Sequence, residues 1–144
     1  MGKQYFCEDC EKLNSKSCVK NGHTILNFPS DITKKYIILR KIGAGGFGTV
    51  FSGIEKHDLK HLYCIKFFDN DKADNSNMSI EEYLNGLKEE ILVMAGLNHE
   101  RIIRYHDSFF SLKEKYAALI MELADYPLSS IINFLTPDQA HFFI

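Results

Sequence analysis

Three groups of residues in this 144-residue chain have types and spacings that can do chemistry. The first is the run Ile42, Gly43, Ala44, Gly45, Gly46, Phe47, Gly48, followed by Thr49 and Val50. A glycine has no Cβ, so its N–H can approach a phosphate oxygen closely and its backbone can take the positive φ of a tight turn. The spacing G-x-G-x-x-G alone fits a dinucleotide-binding turn, a loop between two strands that covers nucleotide phosphates, or a flexible hairpin. The second group is Lys66, a cation closing the apolar run Tyr63-Cys64-Ile65, together with Glu90 further on. The third is Cys7-x2-Cys10-x7-Cys18-x4-His23, four soft ligands that make a tetrahedral zinc set. The same pattern in a reducing compartment also describes a disordered tail with free thiols. His57 and His61 form a further pair, read as part of an exposed hairpin turn rather than a metal site.

The elements that must position these residues narrow the choices. A dinucleotide fingerprint needs a helix after its glycines, whereas Thr49–Glu55 is β-branched and aromatic and reads as a strand. A phosphate-binding loop of the G-x-x-x-x-G-K-[ST] type needs a lysine where Thr49 stands. Tyr36–Ile42 enters the glycine run as a strand, Thr49–Glu55 leaves it, and His61–Phe68 carries Lys66. The polar stretch from Asp69 to Ser79 reads as a loop. Ser79-x-x-Glu82 is a capping box, and the helix it opens extends to about Leu97 despite Gly86. At about 100° per residue, Tyr83, Leu87, Met94 and Leu97 share one stripe with Ile91 beside them, and Glu90 falls inside it while Glu89 points away. An unpaired buried charge costs about 3–5 kcal/mol, so Glu90 needs a partner, and Lys66 is the natural one. The plainer alternative is a helix edge at which Glu90 reaches water.

A glycine-rich loop between two strands, a lysine on the next strand and a helix glutamate resemble, in this order, the ATP-binding lobe of the protein kinase family. The resemblance covers residues 36–144. It implies an α+β fold: a five-stranded antiparallel sheet with one main helix, followed by the start of a truncated helical lobe. The further strands are Arg101–Phe109 and Tyr116–Met121. It implies ATP, with magnesium, under the loop Ile42–Gly48, with Val50 and Cys64 on either side of the adenine. Cys64 stands where the family usually has alanine. Lys66 would hold the α- and β-phosphates and pair with Glu90, which counting back from His99 selects again. Met121 would gate the pocket behind the adenine, and the backbone of Glu122 and Ala124 would bond its edge.

By the same resemblance the substrate is a protein hydroxyl, of serine or threonine rather than tyrosine on numbers alone. Leu128, Ile131, Ile132 and Leu135 have the spacing of a short amphipathic helix, and Thr136-Pro137-Asp138-Gln139 opens another. The family's catalytic loop and metal-binding motif do not occur in the chain. Residues 1–144 alone are therefore expected to be inactive and to self-associate through apolar surface such as Phe142-Phe143-Ile144. Two other readings stay open: a non-catalytic, pseudokinase-like nucleotide-binding scaffold, and a zinc-finger interaction protein. The second draws on residues 5–25, which resemble part of a B-box zinc finger with half of that family's ligands absent.

Composition sets outer bounds. Seventeen Lys+Arg against nineteen Asp+Glu give a net charge of −2, and neither sign forms a long block, which speaks against a nucleic-acid surface. No apolar run reaches the about 18 residues of a membrane span, and the first residues lack a signal peptide's apolar segment. The expected location is the cytoplasm, with ATP and a protein substrate as partners. The expected divisions are a zinc-binding segment at 1–26, a linker at 27–35, the ATP-binding lobe at 36–126 and the first helices of the second lobe at 127–144.

Overall fold

In the computed structural model, residues 3–45, 48–68 and 77–125 are described. The larger sheet consists of β4 (Tyr36–Gly45), β5 (Gly48–Glu55), β6 (Asp58–Phe68), β7 (Tyr105–Ser111) and β8 (Tyr116–Glu122). All pairs are antiparallel, in the order β4-β5-β6-β8-β7. The five-stranded sheet and its one long helix, α3 (Ile80–Ala95), agree with the expected architecture. Ser79 opens α3 with both halves of the capping box: its hydroxyl accepts from the Glu82 N–H, and the Glu82 carboxylate accepts from the Ser79 N–H.

Side chains alternate across a strand, so neighbouring residues report on opposite faces. In β8, Ala117 packs with Leu84 and Leu87 of α3, whereas Tyr116, Ala118 and Ile120 join a second core on the other face. Phe109 and Phe110 of β7 divide in the same way. The second face carries Tyr36, Ile38, Phe51, Ile65 and Phe67, too much apolar surface to leave in water.

The first 35 residues cover it. They form a small sheet of β1 (Tyr5–Cys7), β2 (Lys12–Leu13) and β3 (Ile25–Asn27) in the order β2-β1-β3, with two short helices, α1 (Lys16–Lys20) and α2 (Ser30–Thr33). Phe6, Phe28 and Ile32 are buried in the main core. The Phe6 and Phe28 rings meet Phe51 edge-on, with centroids 5.2 and 5.0 Å apart. Gln4 fastens the start of β4: its side-chain amide donates to the Tyr36 carbonyl (3.0 Å) and accepts from the Ile38 N–H (2.9 Å). The Tyr116 hydroxyl donates to Asp31 at 3.4 Å, and burial, reinforced by that carboxylate, pushes its phenol up to about 12.

Several expectations are corrected here. The stretch 27–35 is not an extended linker: it contains the end of β3, a helical turn and a wholly buried Ile32. Within residues 1–26, Phe6 is buried in the larger core and Leu13 and Leu26 pack against it, which composition alone did not suggest. The strand entering the glycine run continues to Gly45, the third strand begins at Asp58, and the fourth begins at Tyr105 rather than Arg101. Helix α3 ends at Ala95, and Leu97 is exposed. Its buried stripe is Leu84, Leu87 and Ile91. Most of the 69–79 loop and the expected helices beyond residue 127, including Phe142-Phe143-Ile144, lie outside the described residues.

Candidate functional site

The hairpin of β4 and β5 delivers the glycine run. Gly43, Ala44 and Gly45 end β4 and Gly48 begins β5, while Gly46 and Phe47 lie outside the described residues. Gly43 pairs with Val50, and Val50 with Lys66, so three strands in register bring these residues side by side. Gly48 has a constraint of its own, with φ +133° and its hydrogen pointing at the β6 backbone. A Cβ there would stand 1.9 Å from the Phe67 carbonyl oxygen. The residue type is thus demanded by strand packing, independently of any ligand.

Beside this hairpin, on the face that α3 covers, lies a cleft of about 400 Å³. Ile42, Gly43, Val50 and Cys64 line it from the strands, and Met121, Glu122 and Ala124 from the end of β8 and the segment after it. Seven of the residues expected at the ATP site therefore line one cleft: the loop residues Ile42 and Gly43 and the five expected around the adenine. Ala44 is not among them and lines a groove beside the first residues of the chain instead. Ile103, Leu123 and Asp125 also line the cleft and were missed. The apolar pair Ile102-Ile103 just before β7 was the available signal for the first of them. The cleft is lined mostly by apolar surface, which suits a flat heteroaromatic ring. Burial pushes the Cys64 thiol up, so this group is a neutral wall and not a thiolate.

Lys66 is half-buried on β6, on the same face as Cys64 and Phe68 by strand alternation. Its ammonium lies 5.2 Å from the centre of the Phe68 ring. Glu90 is exposed on α3, and the ion pairs seen among the described residues do not join it to Lys66. The expectation of a carboxylate buried in the apolar stripe is corrected. The stripe centres on Leu84, Leu87 and Ile91, and Glu90 sits at its margin next to the half-buried Tyr83 and Met94 positions.

The four sulfur and nitrogen ligands do meet. One donor atom each from Cys7, Cys10, Cys18 and His23 lies within 4.8 Å of the other three. Three local structures produce the cluster. A turn after β1 brings the Cys10 N–H to the Cys7 sulfur at 3.4 Å. Helix α1 presents Cys18. Gly22, at φ +70°, then closes that helix so that the His23 N–H reaches the Cys18 carbonyl at 3.1 Å. His23 Nδ1 lies 3.3 Å from the Cys10 sulfur and 3.6 Å from that of Cys7. The Ser15 hydroxyl, against the opposing effect of burial, brings the Cys18 thiol down to about 7, which favours the thiolate a metal requires. Burial raises the Cys10 thiol, with Cys18 adding to the effect. Donors of this kind, with zinc–sulfur bonds of about 2.3 Å, fit a tetrahedral zinc ion. His57 lies in the turn after β5 and His61 pairs with Asp58 at 2.8 Å; neither joins a cluster of three or more ligands among the described residues.

No helix among the described residues is long and apolar enough to cross a membrane. The profile of the protein kinase domain matches residues 36–144. Three similar proteins are serine/threonine kinases by name. A probable serine/threonine-protein kinase of Dictyostelium discoideum is 30% identical over 72% of this chain and 14% of its own length. Serine/threonine-protein kinase 36 of Pongo abelii is 32% identical over 73% and 7%. Serine/threonine-protein kinase fray1 of Dictyostelium discoideum is 33% identical over 80% and 18%. The chain thus spans less than a fifth of the length of each of these relatives.

Proposed function

The chain belongs to the protein kinase family, and we propose that residues 36–126 are the ATP-binding lobe of a serine/threonine kinase, with a zinc-binding segment before it. The observation that carries the nucleotide reading is the 400 Å³ cleft between the glycine-bearing hairpin and the segment after β8. The adenine lies between Val50 and Cys64, with Met121 at its inner end and the backbone of Glu122 and Ala124 at its edge. The glycine run from Ile42 to Gly48 covers the phosphates. Lys66, opposite Val50, holds the α- and β-phosphates as a half-buried cation. Glu90 pairs with Lys66 only after α3 turns or the Lys66 side chain moves, since Glu90 is exposed as the chain stands.

Magnesium, entering with ATP, would supply charge neutralisation for the phosphates. The work assigned to this chain's own residues is binding and orienting the nucleotide. In the intact family the acceptor is a protein hydroxyl. Titration with a fluorescent ATP analogue tests the assignment. Saturable binding displaced by ATP is expected, and Lys66→Ala should weaken it about 10–100-fold, the worth of one or two charge-assisted hydrogen bonds. Equal affinity in the two proteins would remove Lys66 from the site.

The zinc reading assigns one ion to Cys7, Cys10, Cys18 and His23. Reduced thiols as ligands agree with a cytoplasmic location. Native mass spectrometry of the intact chain should count one zinc, and Cys10→Ser should lower that count. A metal-free wild type after expression with zinc would leave these residues as a hydrogen-bonded cluster only.

A further inference from the structure

We infer that the zinc-binding segment positions the strand that walls the nucleotide cleft, so that metal and nucleotide binding are thermodynamically linked, with Glu11 and Phe6 as the positioning residues. The inference rests on both readings above and adds the coupling between them.

Strand β4 separates two concavities. On one side is the nucleotide cleft. On the other is a groove of about 630 Å³ to which Phe6, Glu11 and Leu13 contribute from the first residues of the chain. Ile42 and Gly43 line both. Anything that shifts this strand from the groove side changes the shape of the cleft.

Each of two metal ligands adjoins a contact to one cross-strand pair. Phe6 precedes Cys7, and Glu11 follows Cys10. The Lys41 ammonium donates to the Glu11 carboxylate at 2.6 Å and stands 5.8 Å from the centre of the Phe6 ring. Lys41 is directly opposite Phe51 in the ladder, and the Phe6 ring meets Phe51 at 5.2 Å. The next pair toward the glycine run, across a β-bulge at Ile42, is Gly43 opposite Val50, both of which line the cleft. One ladder step therefore separates the grip of the metal segment from the nucleotide site.

The Glu11 backbone supplies a reason for the metal to matter. Its φ is +54°, in the left-handed region that a glutamate seldom adopts and that surrounding structure must enforce. A metal ion on Cys10 fixes the residue before it. Without that bond the Glu11 backbone is released toward ordinary φ, and the carboxylate moves off Lys41. An exposed ion pair contributes little on its own. Glu11 is 64% exposed, but the Lys41 side chain is only 26% exposed and also stands over the buried Phe6 ring, so it is the combination of the two contacts that holds the strand.

Linkage requires the effect to be reciprocal. On the full chain, stripping zinc with a zinc-selective chelator should weaken binding of the fluorescent ATP analogue about fivefold, at the low end of ordinary coupling between sites. Saturating nucleotide should tighten zinc by the same factor. Glu11→Ala should keep one zinc by native mass spectrometry and yet bind nucleotide, zinc-loaded, as weakly as the stripped wild type. That arm separates positioning from unfolding, because the metal stays in place. The charge exchange Glu11→Lys with Lys41→Glu should restore the coupling.

Equal nucleotide affinity in zinc-loaded and stripped wild type would overturn the inference, as would undiminished affinity in zinc-loaded Glu11→Ala. A zinc count of zero, or no saturable nucleotide binding, fails the earlier readings at their own readouts and the coupling with them.

Discussion

Phe51→Ala is expected to destabilise the protein by about 3–5 kcal/mol, the usual cost of removing a fully buried aromatic ring. Phe51 has no exposed surface and lies where the two parts of the chain meet. Its ring touches Phe6 and Phe28 from the first 35 residues and Phe67 from the neighbouring strand, with centroids 5.2, 5.0 and 5.9 Å apart. Truncation leaves a cavity walled by three rings held in separate elements, which limits collapse into the space. Urea unfolding followed by circular dichroism measures the change. A loss below about 1 kcal/mol would mean that the first 35 residues do not pack on the sheet as described.

Gly48→Ala carries the second large effect, expected at about 2–4 kcal/mol. Two costs add. The backbone at φ +133° is one that residues with a side chain rarely adopt, and the new methyl would stand 1.9 Å from the Phe67 carbonyl oxygen and 3.0 Å from the Phe68 Cα. Both obstacles are backbone atoms at the last rungs of the β5–β6 ladder, so relief requires the two strands to part at that end. Gly43→Ala is the control, since a Cβ there meets nothing within 4 Å. Its effect on stability should stay within about 0.5 kcal/mol. If the two variants unfold at the same denaturant concentration, the assigned role of Gly48 in strand packing is wrong.

The contrast between these glycines shows what sequence reading reached. Spacing identified the run and the strands on either side of it. The reasons given for the glycines there were approach to a phosphate and positive φ in a turn; Gly48 does take positive φ, but it is also required by close contact with Phe67, a residue nineteen positions away whose placement depends on register. The Ser79–Glu82 box was legible because a capping box is local, and the Cys and His set because ligand spacing is local too.

Glu90 was misplaced for a different reason. A helical stripe drawn through Tyr83, Leu87, Met94 and Leu97 included Leu97, which lies beyond the last turn and is exposed, and left out Leu84, which is wholly buried, so the stripe was rotated toward Glu90. The packing of residues 1–35 on the sheet was the largest omission. A signal for it existed: Ile65 and Phe67 share one face of β6, and Phe51 lies opposite Ile65 on β5, so the face away from α3 was apolar and needed a cover. No local pattern could say that Phe6, Phe28 and Ile32 supply it.

The central claim is that adenine nucleotide occupies the cleft beside the β4–β5 hairpin. Backbone hydrogen exchange of the full chain, with and without ATP and magnesium, tests it residue by residue. Slower exchange is predicted at Gly43, Val50, Cys64 and the segment Glu122–Ala124. Unchanged exchange at those positions under saturating nucleotide, or protection confined to the edge of the sheet around His61 and Tyr105, would contradict the account.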